Sequence, residues 1–232
     1  MKKNNIFLCI SNFKKIFFII LSAIMALACV ITPIAVFSST KSYTYTVVID
    51  AGHGGIDGGC VGASGVAEST LNLEYAKTLR RYFSEYGFNV VMTREGENGL
   101  YGAFSKNKKK DDMQKRKQII ENSGANFVVS IHMNSFPTNS SRGAQVFYEK
   151  DNNTSKSLAD CIQTEFLRTL IKPRKNSSAG DYYILSCTNV PSVLIECGFV
   201  SNPEEENLLL SKDYREKLCY SVLCGCIMYF GI

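Results

Sequence analysis

Thr46-Val47-Val48-Ile49-Asp50-Ala51-Gly52-His53-Gly54-Gly55-Ile56-Asp57-Gly58-Gly59 joins an apolar run to a glycine-rich turn, with a histidine at the junction. Thr46 to Asp50 has the length and β-branched content of a buried strand. Four of the six residues after His53 are glycine, which lets a backbone turn sharply and approach a ligand closely. A phosphate cradle is disfavoured, because the G-x-G-x-x-G spacing fails at Asp57 and no Gly-Lys-Ser/Thr follows. The second of the two histidines, His132, follows a similar run, Phe127 to Ile131. Open α/β sheets carry their chemistry beyond the carboxyl ends of the strands, so two imidazoles delivered there can converge on a metal. An isolated histidine is more often a packing or surface residue, so position alone assigns neither.

Outward from this stretch the periodicity alternates in the manner of an α/β domain. Leu71, Tyr75, Leu79 and Phe83 recur at helical spacing up to Gly87, and Phe88 to Thr93 reads as a strand. A lysine-rich stretch from Glu95 to Lys110, read as a solvated loop, precedes a helix-like segment to Gly124. Gly143 to Glu149 reads as a strand, Ser155 to Leu170 as a helix, and Tyr182 to Ser186 and Val193 to Cys197 as short strands. Asn202-Pro203-Glu204 opens a helical region that runs close to the end, proline being suited to the first helical turn. With 232 residues and no internal repeat, the economical division is a single α/β domain over 43–232.

Residues 1–40 read as an export segment. Ile16 to Phe37 is almost entirely apolar, with Lys2, Lys3, Lys14 and Lys15 before it. At about 22 residues the run exceeds a usual signal-peptide core, and no A-x-A-like site follows, which favours an uncleaved membrane anchor over a removed signal. Ala26-Leu27-Ala28-Cys29 faintly resembles a lipoprotein box, but the residues after it stay apolar. Without those four lysines the net charge of +5 falls to +1 over residues 41–232, which gives nucleic-acid binding no support. Nine cysteines, seven of them beyond the export segment, leave at least one thiol unpaired in a monomer, and no C-x-x-C pair suggests a structural zinc site. Cys219, Cys224 and Cys226 read as small hydrophobes of a carboxy-terminal helix.

Two acids join the histidines as candidates. Glu68 ends the glycine-rich loop just before a helix that Ser69 or Thr70 could cap, and Glu196 ends the apolar Val193-Leu194-Ile195 run. A carboxylate emerging from a buried strand needs a partner, which a cation or a catalytic proton would supply. Two His and two Glu at such ends suit a catalytic zinc, with three N/O ligands, an open position for water and a separate carboxylate base.

The ordered blocks Val48-Ile49-Asp50-Ala51-Gly52-His53-Gly54-Gly55, Glu68 with Asn72, Thr93-Arg94, Ser130-Ile131-His132-Met133-Asn134 and Pro191 to Asn202 span nearly the whole exported part. In this set the chain resembles the zinc-dependent N-acetylmuramoyl-L-alanine amidases of the amidase-3 type. The resemblance implies a three-layer fold with a mixed, mostly parallel sheet flanked by helices, zinc on His53, Glu68 and His132, and Glu196 as the catalytic glutamate. It implies hydrolysis of the amide between N-acetylmuramic acid and L-alanine in peptidoglycan. Arg116 matches an arginine common in the family and is read as structural, outside the site. Asp50, Asn72 and Asn134 are candidates to support the ligands, capping and strand-end hydrogen bonds being the equal alternative. Met133, Ser135 and an apparent insertion over residues 95–112 depart from the family pattern and bear on substrate fit.

The lean layout, with no appended wall-binding repeats, looks like the sporulation and germination branch, whose members trim cortex peptidoglycan so that muramic-δ-lactam can form in partnership with a deacetylase. Targeting would then come from the anchor or from another exported protein, placing the enzyme at the cell wall or in the spore cortex compartment. A vegetative autolysin shares the same site residues. Two other classes are open: a cysteine hydrolase using Cys197 or Cys60 with His132, and a binding protein that grips peptidoglycan without cutting it.

Overall fold

The computed structural model describes residue 17, residues 19–25 and residues 45–232. The chain runs β1 (Thr46–Ala51), α1 (Glu68–Tyr86), β2 (Asn89–Met92), α2 (Lys108–Asn122), β3 (Phe127–Asn134), β4 (Gln145–Glu149), α3 (Asn153–Thr169), β5 (Ser178–Gly180), α4 (Tyr183–Ser186), β6 (Ser192–Phe199), α5 (Pro203–Leu210) and α6 (Lys212–Phe230). The strands form one sheet in the order β2-β1-β3-β6-β4-β5. β2, β1, β3 and β6 are parallel, β4 pairs antiparallel with β6, and β5 lies parallel to β4.

Alternation along the central strands explains the three layers. Val47, Ile49, Val129, Ile131 and Ile195 point to one face, where Leu71, Tyr75, Leu79 and Phe83 of α1 pack with Leu158 and Ile162 of α3 and Val222 of α6. Val48, Val128 and Leu194 point to the other, against Ile120 of α2 and Ile184 and Leu185 of α4. Burial on both faces is why β1, β3 and β6 read as continuous apolar runs instead of alternating ones.

Three expectations change. The segment Tyr182 to Ser186 is not a strand: its core is the short helix α4, in which adjacent Ile184 and Leu185 both reach the same sheet face, something neighbouring strand residues cannot do. Neither Ser69 nor Thr70 caps α1. The helix starts at Glu68 after Ala67, and loop carbonyls take its first N–H groups, Glu68 N donating to Cys60 O at 2.8 Å and Ser69 N to Gly58 O at 3.0 Å. The helical region after Asn202 is two helices, α5 and α6, each starting on a side-chain cap, Asn202 and Ser211.

Cys219 and Cys226 are buried as read, Cys224 only partly, and all seven cysteines of the described residues are free thiols. The expected export segment lies outside the described residues except for residue 17 and residues 19–25, which are helical with exposed side chains. Among the described residues no helix is long and apolar enough to cross a membrane. Ser42–Ile232 form one compact unit.

Candidate metal centre

Parallel pairing brings the candidate residues together. The β1–β3 register sets Ala51 beside Ile131, and the β3–β6 register sets His132 directly across from Glu196. Three neighbouring strands therefore deliver the His53 loop, His132 and Glu196 to one end of the sheet. The loop then returns Glu68, at the first turn of α1, to the same place.

One carboxylate oxygen organises the cluster. Glu68 Oε1 lies 3.3 Å from His53 Nε2 and 3.0 Å from His132 Nδ1, and it accepts from Met133 N at 3.1 Å and Asn72 Nδ2 at 3.2 Å. Glu68 Oε2 accepts from Cys60 N at 3.0 Å. Burial raises this carboxyl's pKa, but the two imidazoles outweigh it and hold the group well below the usual carboxylate range. Potential ligand atoms of His53, Glu68 and His132 all lie within 4.8 Å of one another, the one such His/Cys/Asp/Glu group among the described residues.

Each histidine is held from behind. His53 Nδ1 faces Asp57 Oδ2 at 3.0 Å, which fixes Nε2 toward the cluster, as an outer carboxylate does for a metal-bound imidazole. Burial lowers the pKa of His53, yet Glu68 and Asp57 override it and push it up to about 9. His53 sits at φ 59, a left-handed conformation uncommon outside glycine. The ring of His132 packs on Gly52, where an added Cβ would lie 2.3 Å from Cε1.

A polar floor supports this geometry. Arg94 donates from Nε to Ala51 O at 2.9 Å and from Nη2 to Gly52 O and Ser69 O at 2.9 and 2.8 Å. Arg116 donates to Asp112, to Asp50, to Ala51 O and, at 2.5 Å, to the carbonyl of His53 itself. These contacts place it directly beneath the site, on the same cavity as His53 and His132. Burial would raise Asp50, but Arg116 and the hydroxyls of Ser130 and Thr93 hold it down at about 2. Asn72 touches a ligand candidate directly, while Asp50 acts through backbone and Arg116. Asn134 contributes a strand-end carbonyl that accepts from Val200 N at 2.9 Å. Asp57 and Arg94 were the missed supports; the only sequence signal for Asp57 was its i,i+4 spacing from His53.

Glu196 stands across from His132, buried, with Oε2 lacking a hydrogen-bond partner among the described residues. Burial pushes its pKa up to about 7, against the pull of His132. A buried carboxylate oxygen left without a partner is costly, and a cation or a water at the cluster would compensate it. The donor set of two imidazoles and a carboxylate suits zinc. A cysteine nucleophile fits poorly: Cys197 is fully buried with its thiol pushed far up, first by burial, and burial also raises Cys60.

Residues 47–227 match the amidase-3 family of N-acetylmuramoyl-L-alanine amidases. The chain belongs to that family. As an amidase it hydrolyses the bond between N-acetylmuramic acid and L-alanine in peptidoglycan. It is 36% identical over 188 residues to the germination-specific N-acetylmuramoyl-L-alanine amidase of Bacillus subtilis, covering 79% of each chain. Its identity to the amidase AmiA of Escherichia coli is 29%, over 79% of this chain and 75% of that one. The CwlD amidase of Clostridioides difficile, solved in complex with the GerS lipoprotein, matches with a TM-score of 0.78 at 39% identity, over 81% of this amidase and 99% of that chain. The likeness to the germination-specific amidase supports the germination branch of the family.

Proposed function

We propose that the chain strips stem peptides from spore-cortex peptidoglycan, with zinc held by His53, Glu68 and His132 and with Glu196 as the proton carrier. The observation that carries this reading is the single Glu68 oxygen within 3.3 Å of both imidazoles, with Glu196 across from His132 and its Oε2 lacking a partner among the described residues. When bound, zinc supplies Lewis-acid polarisation of the scissile carbonyl and makes water acidic enough to lose a proton near neutral pH. Glu196 takes that proton as the water oxygen bonds to the carbonyl carbon. As the C–N bond breaks, Glu196 returns the proton to the departing L-alanine nitrogen. General acid–base work of this kind is typically worth about 10²- to 10⁴-fold. His53 and His132 hold their positions through Asp57 and the packing on Gly52, so the site needs little rearrangement to react.

The cortex role is supported by the 36% identity to a germination-specific amidase. In this reading residues 1–40 export and anchor the chain, 43–232 catalyse, and the product is passed to a deacetylase for muramic-δ-lactam formation. An exported accessory protein is the partner to seek, the CwlD amidase having been solved in complex with the GerS lipoprotein. Two measurements test the proposal. Purified protein should bind zinc and release glycan free of L-alanine peptide, a reaction abolished by a chelator. Spores lacking the gene should lack muramic-δ-lactam and fail to complete germination, whereas a normal cortex would leave the vegetative autolysin reading.

A further inference from the structure

A cavity of about 310 Å³ opens beside His53 and His132 and runs between α2 and α4. Its walls are Met113, Tyr182, Ile184 and Leu194, and Tyr101 and Lys109 stand with His53 and Asp57. Tyr101 belongs to the segment that departs from the family pattern. Its hydroxyl accepts from Ile56 N at 2.7 Å, and an added Cβ on Gly55 would lie 2.1 Å from it, so this residue is fitted tightly to the His53 loop. Of the two cations lining the cavity, Arg116 is spent on Asp50, Asp112 and two carbonyls. Lys109 is different. Its side chain is 77% exposed, and its ammonium stands 3.9 Å from Asp57, too far for a hydrogen bond.

The substrate has two unlike arms at the scissile amide. A glycan strand continues past the reacting sugar in both directions and needs an open groove. A stem peptide has a free end and can enter a cavity lined by buried Asp50 and Leu194. Apolar walls with one exposed ammonium suit a short peptide that carries a carboxylate.

We propose that the cavity between α2 and α4 receives the stem peptide and that Lys109 selects a free carboxylate on the residue following L-alanine. This rests on the amidase activity. Lys109 is thus a specificity-determining residue, and its contact with Asp57 makes a general role in holding His53 the competing account.

The test uses glycan strands identical except for a carboxylate or a carboxamide on the second stem-peptide residue, with the full chain loaded with zinc. Lys109→Ala should raise KM for the carboxylate strands by roughly threefold to fivefold, the upper part of the range of an exposed ion pair. KM for the carboxamide strands and kcat for both should stay within about twofold, and Lys109→Arg should restore the preference. An equal loss on both strands, or no change on either, overturns the proposal. Parent enzyme that cleaves neither strand overturns the amidase reading itself.

Discussion

Glu196 is a costly place for a carboxylate, buried within the fully buried strand β6 and with one of its oxygens lacking a hydrogen bond among the described residues. In the proposed reading that side chain serves proton transfer at a cost in stability. Glu196→Gln should therefore keep bound zinc, measured by elemental analysis, and lose about 10²- to 10⁴-fold in kcat. His132→Ala should lose both. The pH profile follows from the same residue. A base must be unprotonated, and burial sets Glu196 at about 7 while a nearby cation draws it lower. Activity should thus fall as pH drops below neutrality, and Glu196→Gln should lack that acid limb in its residual rate. Asp57, which orients His53, had only its i,i+4 spacing to mark it in the sequence. Asp57→Ala should weaken zinc binding by about 10- to 100-fold, read by competition with a chelating dye.

At the scale of elements, the β1 loop and the start of α1 work as one unit, pinned by Arg94 and Arg116 to its carbonyls. The alternating periods that mark strands and helices were legible because burial on both sheet faces forces apolar runs. The helix α4 was not legible, since four residues are too few to separate a helical period from a strand. The start of α1 was misread for a different reason: its N–H groups are satisfied by the loop carbonyls of Gly58 and Cys60, a tertiary substitute for a side-chain cap. Gly52→Ala tests the close approach of loop and strand. The added methyl would meet the ring of His132, and a displacement near 1 Å costs about 10²-fold in rate. Circular dichroism should show the variant folded.

Across the whole domain the apolar clusters on the two sheet faces are built without the three ligand candidates. Chelation should abolish hydrolysis and lower Tm by roughly 5–10 °C, the linkage expected for a ligand at about 100 times its Kd, with secondary structure retained. The buried Asp50–Arg116 pair contributes to acid stability. Asp50 is depressed from 3.8 to about 2, so its contribution of about 2 kcal/mol is complete above pH ~4 and is lost as pH falls through about 2. Denaturant titrations should show that slope flattened in Asp50→Asn.

The apolar runs, the glycine-rich turn and the order of the blocks were determined by the sequence alone, because buried strands and tight turns restrict residue type locally. They were enough to nominate His53, Glu68, His132 and Glu196 and to name the family. The shared oxygen of Glu68, the unpartnered oxygen of Glu196, the braces from Asp57, Arg94 and Arg116, and the cavity at Lys109 were decided only by the tertiary structure. These depend on strand register and loop closure, which bring together residues that have no short-range relation along the chain.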